Sequence, residues 1–201
     1  MTLDFFRELD EVIGFITGNP EIHALVISGK GRHYSSGAEL TSLLNEIREK
    51  STTGPKENLL EIPEFLATNY RSFLRIEELE IPVISAIRGV CLGSALELAL
   101  FSHFRFCGED AVFGLPEASF NLIPGLGGIY KLASLAGKAK ALEFVLKGKT
   151  FTAEEALRLK LADKILPRRE VVQQSLDFAK NIAPEYRKEK RPLYLKNYFL
   201  V

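Results

Sequence analysis

The 201-residue sequence has no excess of charge of either sign: 26 lysines and arginines balance 26 aspartates and glutamates, for a formal net charge of zero. No global positive field is available to recruit nucleic acid or an anionic membrane, so a small-molecule partner is the expectation. Cysteine is scarce as well. Cys91 and Cys107 both lie in apolar stretches, and neither pairs with the three histidines at metal-ligand spacing, so no metal site is expected and a reducing cytoplasm fits. The opening Met1-Thr-Leu-Asp-Phe-Phe-Arg-Glu8 has acidic residues and lacks the basic segment and apolar core of a signal peptide, which argues against export. The most apolar window, Pro82 to Phe101, is interrupted by Arg88, Gly93-Ser94 and Glu97. It reads as buried core rather than as a membrane span.

Several chemical signatures are missing too. No serine is flanked as Gly-x-Ser-x-Gly, which removes the motif of one large hydrolase class. Tyr130 stands where the glycine-dense Ile123-Pro-Gly-Leu-Gly-Gly128 would need its third glycine to bind a dinucleotide, and Glu143 stands where Lys147-Gly-Lys-Thr150 would need a glycine to form a phosphate loop. His33 lies near Ser35 and Ser36, where a base would stand, but reads as a loop histidine; His23 and His103 border apolar runs with no partners at catalytic spacing, so ordinary structural roles are expected for them. No prosthetic cofactor is called for.

What remains is a chain with 46% hydrophobic residues, enough for one compact domain across residues 1–201 that buries roughly 70% of its unfolded surface. Its core is expected over about 3–166, with a C-terminal helical segment and tail over about 167–201. Helical spacing of apolar residues marks Leu3–Ile16 and Phe65–Leu79, while His23–Ser28 and Pro82–Ile87 are short apolar runs suited to strands buried on both faces. Gly29–Gly37 reads as loop with a helix starting at Ala38, and Gly89–Gly93 as a turn before a helix over Ser94–Phe101. Phe104–Cys107 and Ala111–Phe113 read as strands. Helices are expected over Gly127–Leu135, Lys138–Leu146, Ala153–Leu159 and Arg169–Ile182, with Thr152 and Glu155 spaced as a capping box. Polar residues from Ile47 to Glu61, broken by Ser51-Thr-Thr-Gly-Pro55, are the expected mobile stretch. Strands alternating with helices indicate an α/β fold.

Two carboxylates stand out, Glu97 and Glu117, each beside a glycine-containing turn. Two carboxylates that share one water can divide acid and base work, each tuned by its surroundings. Each also has a plain structural reading. Ser94-Ala-Leu-Glu97 matches a capping box, in which Glu97 would occupy the Ser94 amide, and Glu117 after Pro116 suits an exposed turn. On the other reading Glu97 lies one turn into a helix whose first amides face a ligand.

Taken in order, Gly37-Ala-Glu-Leu40, Pro82-Val-Ile-Ser-Ala-Ile-Arg-Gly89, Gly93-Ser-Ala-Leu-Glu-Leu98, Phe113-Gly-Leu-Pro-Glu117 and Ile123-Pro-Gly-Leu-Gly-Gly128 resemble the crotonase, or enoyl-CoA hydratase/isomerase, family. Phe151–Leu157 and Leu161–Leu166 resemble its later segment. The resemblance implies a stacked ββα superhelix with C-terminal helices, assembled as a homotrimer or a dimer of trimers. It implies an acyl-CoA substrate, or an acyl chain on a carrier protein, whose thioester oxygen is held by the amides of Ala38 and Ser94. Ala38, Glu39, Leu40, Gly93 and Gly125 fall at positions expected to contact the CoA thioester. Ser94 stands in place of a common glycine and Glu39 in place of the usual aspartate; the first role uses only the backbone. Hydratases of the family fill both acidic positions, and isomerases commonly retain mainly the one matching Glu117. With both filled, hydration of a 2-enoyl thioester is expected; isomerisation, decarboxylation, thioester hydrolysis or a non-catalytic binding role are the alternatives. The opening strand pair and the longer helical C-terminus usual in the family look absent or shortened. The basic and aromatic tail from Arg187 to Val201 suits contact with CoA phosphates or a neighbouring subunit, and equally a solvated or frayed end.

Overall fold

The computed structural model describes residues 1–39 and 64–188. Ala38 and Glu39 are irregular instead of opening the expected helix; Leu40 and the rest of that helix, the Ile47–Glu61 stretch and the tail past residue 188 lie outside the described residues. Helix α1 spans Leu3–Gly18, with the Thr2 hydroxyl accepting from the Phe5 amide at 3.3 Å. Its apolar stripe, Phe6, Ile13 and Ile16, is buried, as the helical spacing requires. That stripe meets helix α2 (Glu64–Glu77), where Phe6 and Phe73 place their rings 5.7 Å apart and Arg75 pairs with Asp10 at 2.6 Å.

Between these helices runs β1 (Leu25–Ser28), and after α2 come β2 (Val83–Ile87) and β3 (Val90–Leu92). Helix α3 (Ser94–Phe101) follows, then β4 (Phe104–Gly108) and β5 (Val112–Gly114). A 3-10 turn over Pro116–Phe120 leads to α4 (Gly128–Ala136) and α5 (Lys138–Lys147). The chain closes with β6 (Thr150–Thr152), α6 (Ala153–Arg158), β7 (Lys164–Leu166) and α7 (Val171–Lys188).

Two sheets divide the strands. One is wholly parallel in the order β1-β2-β4-β7; the other runs β3-β5-β6, parallel then antiparallel. Consecutive strands change sheet, β2 to β3 and β4 to β5, with a helix after the second: this is the expected ββα repeat. Every residue of β2 is buried. On one face Ile84 and Ala86 join Phe106 of β4 and Val171 and Ala179 of α7; on the other, Val83 and Ile87 join the clusters around α1, α2 and α3. Coverage of both faces is why β2 reads as an apolar run. Ser85 breaks that run, and its hydroxyl sits in a buried chain: Tyr34 Oη is 2.9 Å from Ser85 Oγ, which is 2.8 Å from Ser102 Oγ at the end of α3.

Some local expectations are corrected. Residues 90–92 form a strand instead of a turn, because Val90, Cys91 and Leu92 pair in parallel with Val112, Phe113 and Gly114, and Ser35 bridges Cys91 from the other side. The strands β6 and β7 carried no periodic signal. Helix α7 continues through Pro184 to Lys188, beyond the expected end at Ile182. Only half of the capping box at Thr152 forms: its hydroxyl accepts from the Glu155 amide at 3.3 Å, while the Glu155 carboxylate turns to Arg158 at 3.2 Å and Lys140 at 3.6 Å.

Candidate active site

The site gathers around the start of α3. Gly93 caps that helix at φ 56 and ψ −132, a conformation that a side chain would strain, and its amide donates to the Gly114 carbonyl at 2.9 Å. The space above it belongs to Glu117. A Cβ at residue 93 would stand 3.0 Å from Glu117 Oε1, so the carboxylate on the 3-10 turn lies against the helix N-terminus. There the partial positive end of α3 favours negative charge. The other oxygen, Glu117 Oε2, is buried and has no hydrogen-bond partner among the described residues. Burial raises the Glu117 carboxyl above its ordinary value.

Glu97 projects from the first turn of the same helix and is 2% exposed. Its Oε1 accepts two backbone amides, Leu126 at 2.9 Å and Gly128 at 2.8 Å. The capping-box reading therefore fails: the carboxylate turns to the loop before α4, and no side chain caps α3. Burial pushes the Glu97 carboxyl up to about 7, the Gly128 and Leu126 amides pull it down, and the Glu117 charge pushes it up. Because Oε1 already takes two donors, the proton that Glu97 carries belongs on Oε2. The exposed-turn reading of Glu117 fails as well, since one of its oxygens is sealed from water.

The loop after β1 reaches the same place. Tyr34 and Ser35 donate their amides to the Arg88 and Val90 carbonyls at 2.8 and 3.0 Å, and Leu92 donates back to Ser35 at 3.1 Å. This lacing lays Gly37 on the head of α3, where a Cβ would lie 3.4 Å from the Ser94 nitrogen. Ala38 follows directly. Neither the Ala38 nor the Ser94 amide has an acceptor among the described residues. The Ser94 hydroxyl donates to Met1 Sδ at 3.4 Å, and the Glu39 amide to the Met1 carbonyl at 3.0 Å.

Glu97, Glu117, Gly93, Ser94 and the Gly37–Ala38 turn thus come together. Gly125 lies at the edge, facing Leu66 of α2, and Glu39 is exposed. Two of the three histidines bond to the backbone: His33 Nδ1 accepts from the Val90 amide and His103 Nδ1 from the Val83 amide. Sequence reasoning missed the Leu126 and Gly128 amides. Any residue type carries such a donor, and only the glycine density of 123–128 hinted that backbone approaches closely there.

Two sheets built from ββα repeats are the fold of the crotonase class. The chain belongs to the enoyl-CoA hydratase/isomerase family, whose model matches residues 1–194. It is 31% identical over 166 residues to a peroxisomal Delta(3,5)-Delta(2,4)-dienoyl-CoA isomerase of Arabidopsis thaliana, covering 82% of this chain and 60% of that protein. It is 34% identical over 184 residues to the fatty acid oxidation complex subunit alpha of Shewanella loihica, covering 88% of this chain and 24% of that one. The crystal structure of an enoyl-CoA hydratase from Bacillus anthracis matches with a TM-score of 0.77 at 27% identity, over 91% of this chain and 67% of that chain. The chain spans less than two thirds of the two curated relatives.

Proposed function

We propose that the chain hydrates a 2-enoyl thioester, with Glu97 and Glu117 as an acid/base pair and the Ala38 and Ser94 amides receiving the thioester oxygen. The observation that carries this reading is the state of the carboxylates: Glu97 is held by two amides with its pKa near 7, and Glu117 offers a buried oxygen with no partner among the described residues. In the reaction, water adds its oxygen to the β-carbon and loses a proton to one glutamate, while the other delivers a proton to the α-carbon. Electron density displaced by that attack gathers on the thioester oxygen, where fixed amides stabilise the enolate more than the ground-state carbonyl. The pair works holding one proton, so kcat/KM is expected to fall at low pH, where both are protonated, and again above about 7, where the pair loses its shared proton.

The test is the hydration of a short 2-enoyl-CoA by the parent chain, Glu97→Gln and Glu117→Gln. Each variant is expected to lose about 100- to 10,000-fold in kcat, the range for a positioned acid or base. A parent that adds no water to the thioester defeats the proposal. A second reading draws on the dienoyl-CoA isomerase relative: isomerisation moves a proton between carbons of the same chain and needs mainly Glu117. On that reading Glu117→Gln abolishes double-bond migration in an enoyl-CoA and Glu97→Gln largely spares it.

A further inference from the structure

The backbone that holds Glu97 is itself backed by α2. Leu66 faces the Cβ position of Gly125 at 3.5 Å, and one turn on, Tyr70 sets its ring edge against Gly127, with Cε2 2.6 Å from where a Cβ would stand. The same ring meets Phe101 edge-on, centroids 6.0 Å apart at 73°. Phe101 is one turn beyond Glu97 on α3, and Gly127 lies between the two residues whose amides bind Glu97 Oε1. Farther along α2, Glu77 pairs with the buried Lys131 of α4, so the same helix grips both the loop and the helix it opens.

We propose that Tyr70 is a positioning residue for Glu97: its ring, wedged between Gly127 and Phe101, holds the amide-bearing loop in place and keeps water from the flank of the carboxyl. The inference rests on the reading of Glu97 as one of the reacting carboxylates. Tyr70 makes no hydrogen bond to Glu97 and acts through the backbone and through exclusion of solvent. The titratable and charged groups on the elements packed around Glu97 are Glu117 on the 3-10 turn, Cys91 on β3, Tyr130 and Lys131 on α4, and Glu64, Tyr70, Arg71, Arg75 and Glu77 on α2, where Arg71 pairs with Glu64 and Arg75 with Asp10 of α1. Among them, Glu117 is the one whose charge bears on Glu97, and burial outweighs it. Loss of the ring therefore acts mainly by admitting water, which favours the carboxylate.

The experiment follows the Glu97 side-chain carbon by NMR in the full chain carrying 13C-labelled glutamate, assigned with Glu97→Gln and titrated with pH. Tyr70→Phe keeps the ring and is expected to titrate as the parent does. Tyr70→Ala is expected to raise the Glu97 acid dissociation constant by about tenfold or more, and to move the high-pH limb of the hydration profile downward with it. Tyr70→Leu, which fills less of the wedge than the ring, is expected to shift Glu97 in the same direction and decides the matter if the alanine variant does not fold. An unchanged Glu97 titration in the folded alanine or leucine variant overturns the proposal. The titration needs no turnover, so a chain that hydrates nothing would defeat the catalytic reading while the NMR result still decides the role of Tyr70.

Discussion

Glu97 binds its proton more tightly in the folded chain than in the unfolded one, with a pKa near 7 against an ordinary value of 4.5. Its contribution to stability is therefore full below about pH 4.5 and is lost as pH rises through about 7. Across that window the loss amounts to about 3 kcal/mol. Glu97→Gln keeps an oxygen for the Leu126 and Gly128 amides and removes the titration. The variant is expected to resist urea better than the parent at pH 8, by about 1 to 3 kcal/mol, with the advantage fading toward pH 4.5. A gain that does not change with pH would show that burial of the charge is not its source. On the proposed reading of Glu97 as a reacting carboxylate, the substitution that costs turnover is the one that stabilises the fold.

At the level of elements, α3 and α4 meet with no space to spare. A Cβ at Gly128 would stand 2.6 Å from Glu97 Cγ and 2.8 Å from its Oε1, so Gly128→Ala is expected to cost about 1 to 3 kcal/mol and to displace the carboxylate, with a matching loss of hydration. Gly14 in α1 is the contrast. Nothing lies within 4 Å of its Cβ position, and Gly14→Ala is expected to add about 1 kcal/mol with activity kept. Thermal melts and initial rates of the two variants check both. The legibility of these elements in the sequence follows the same physics. Helices α1 and α2 showed through their apolar spacing and β2 through an apolar run interrupted only by Ser85, because burial on one stripe or on both faces selects residue types along many positions. β3, β6 and β7 did not show, since three residues held by pairing with distant strands leave no period to read. Both carboxylates were visible in their glycine-flanked stretches; the amides that hold Glu97 and the ring behind them were not, because a backbone donor has no residue type and Tyr70 looks like any other core-facing aromatic.

Across the whole molecule, the parts of the site come from distant stretches of chain: the loop near Ala38, the head of α3, the 3-10 turn at Glu117 and the loop before α4. Their mutual placement depends on the two sheets between them. The stacked rings of Phe113 and Phe151, 5.6 Å apart, and of Phe151 and Phe144, 4.4 Å apart, fasten the second sheet to α5. At the first sheet, Tyr34 of the loop after β1, Ser85 of β2 and Ser102 at the end of α3 form the buried hydroxyl chain, and Ser85 is its middle member. Ser85→Ala strands a buried hydroxyl on each side, at about 1 to 3 kcal/mol apiece, whereas Tyr34→Phe removes an end and leaves the other pair intact. The middle substitution is expected to destabilise more than the end one, as read from denaturant midpoints. The chain also joins the segment that leads to Ala38 to the helix that carries Ser94 and Glu97, so the two should open to solvent as one unit. Amide hydrogens of residues 34–37 and of α3 are then expected to exchange with a common opening free energy, and to part company only when Ser85 is replaced.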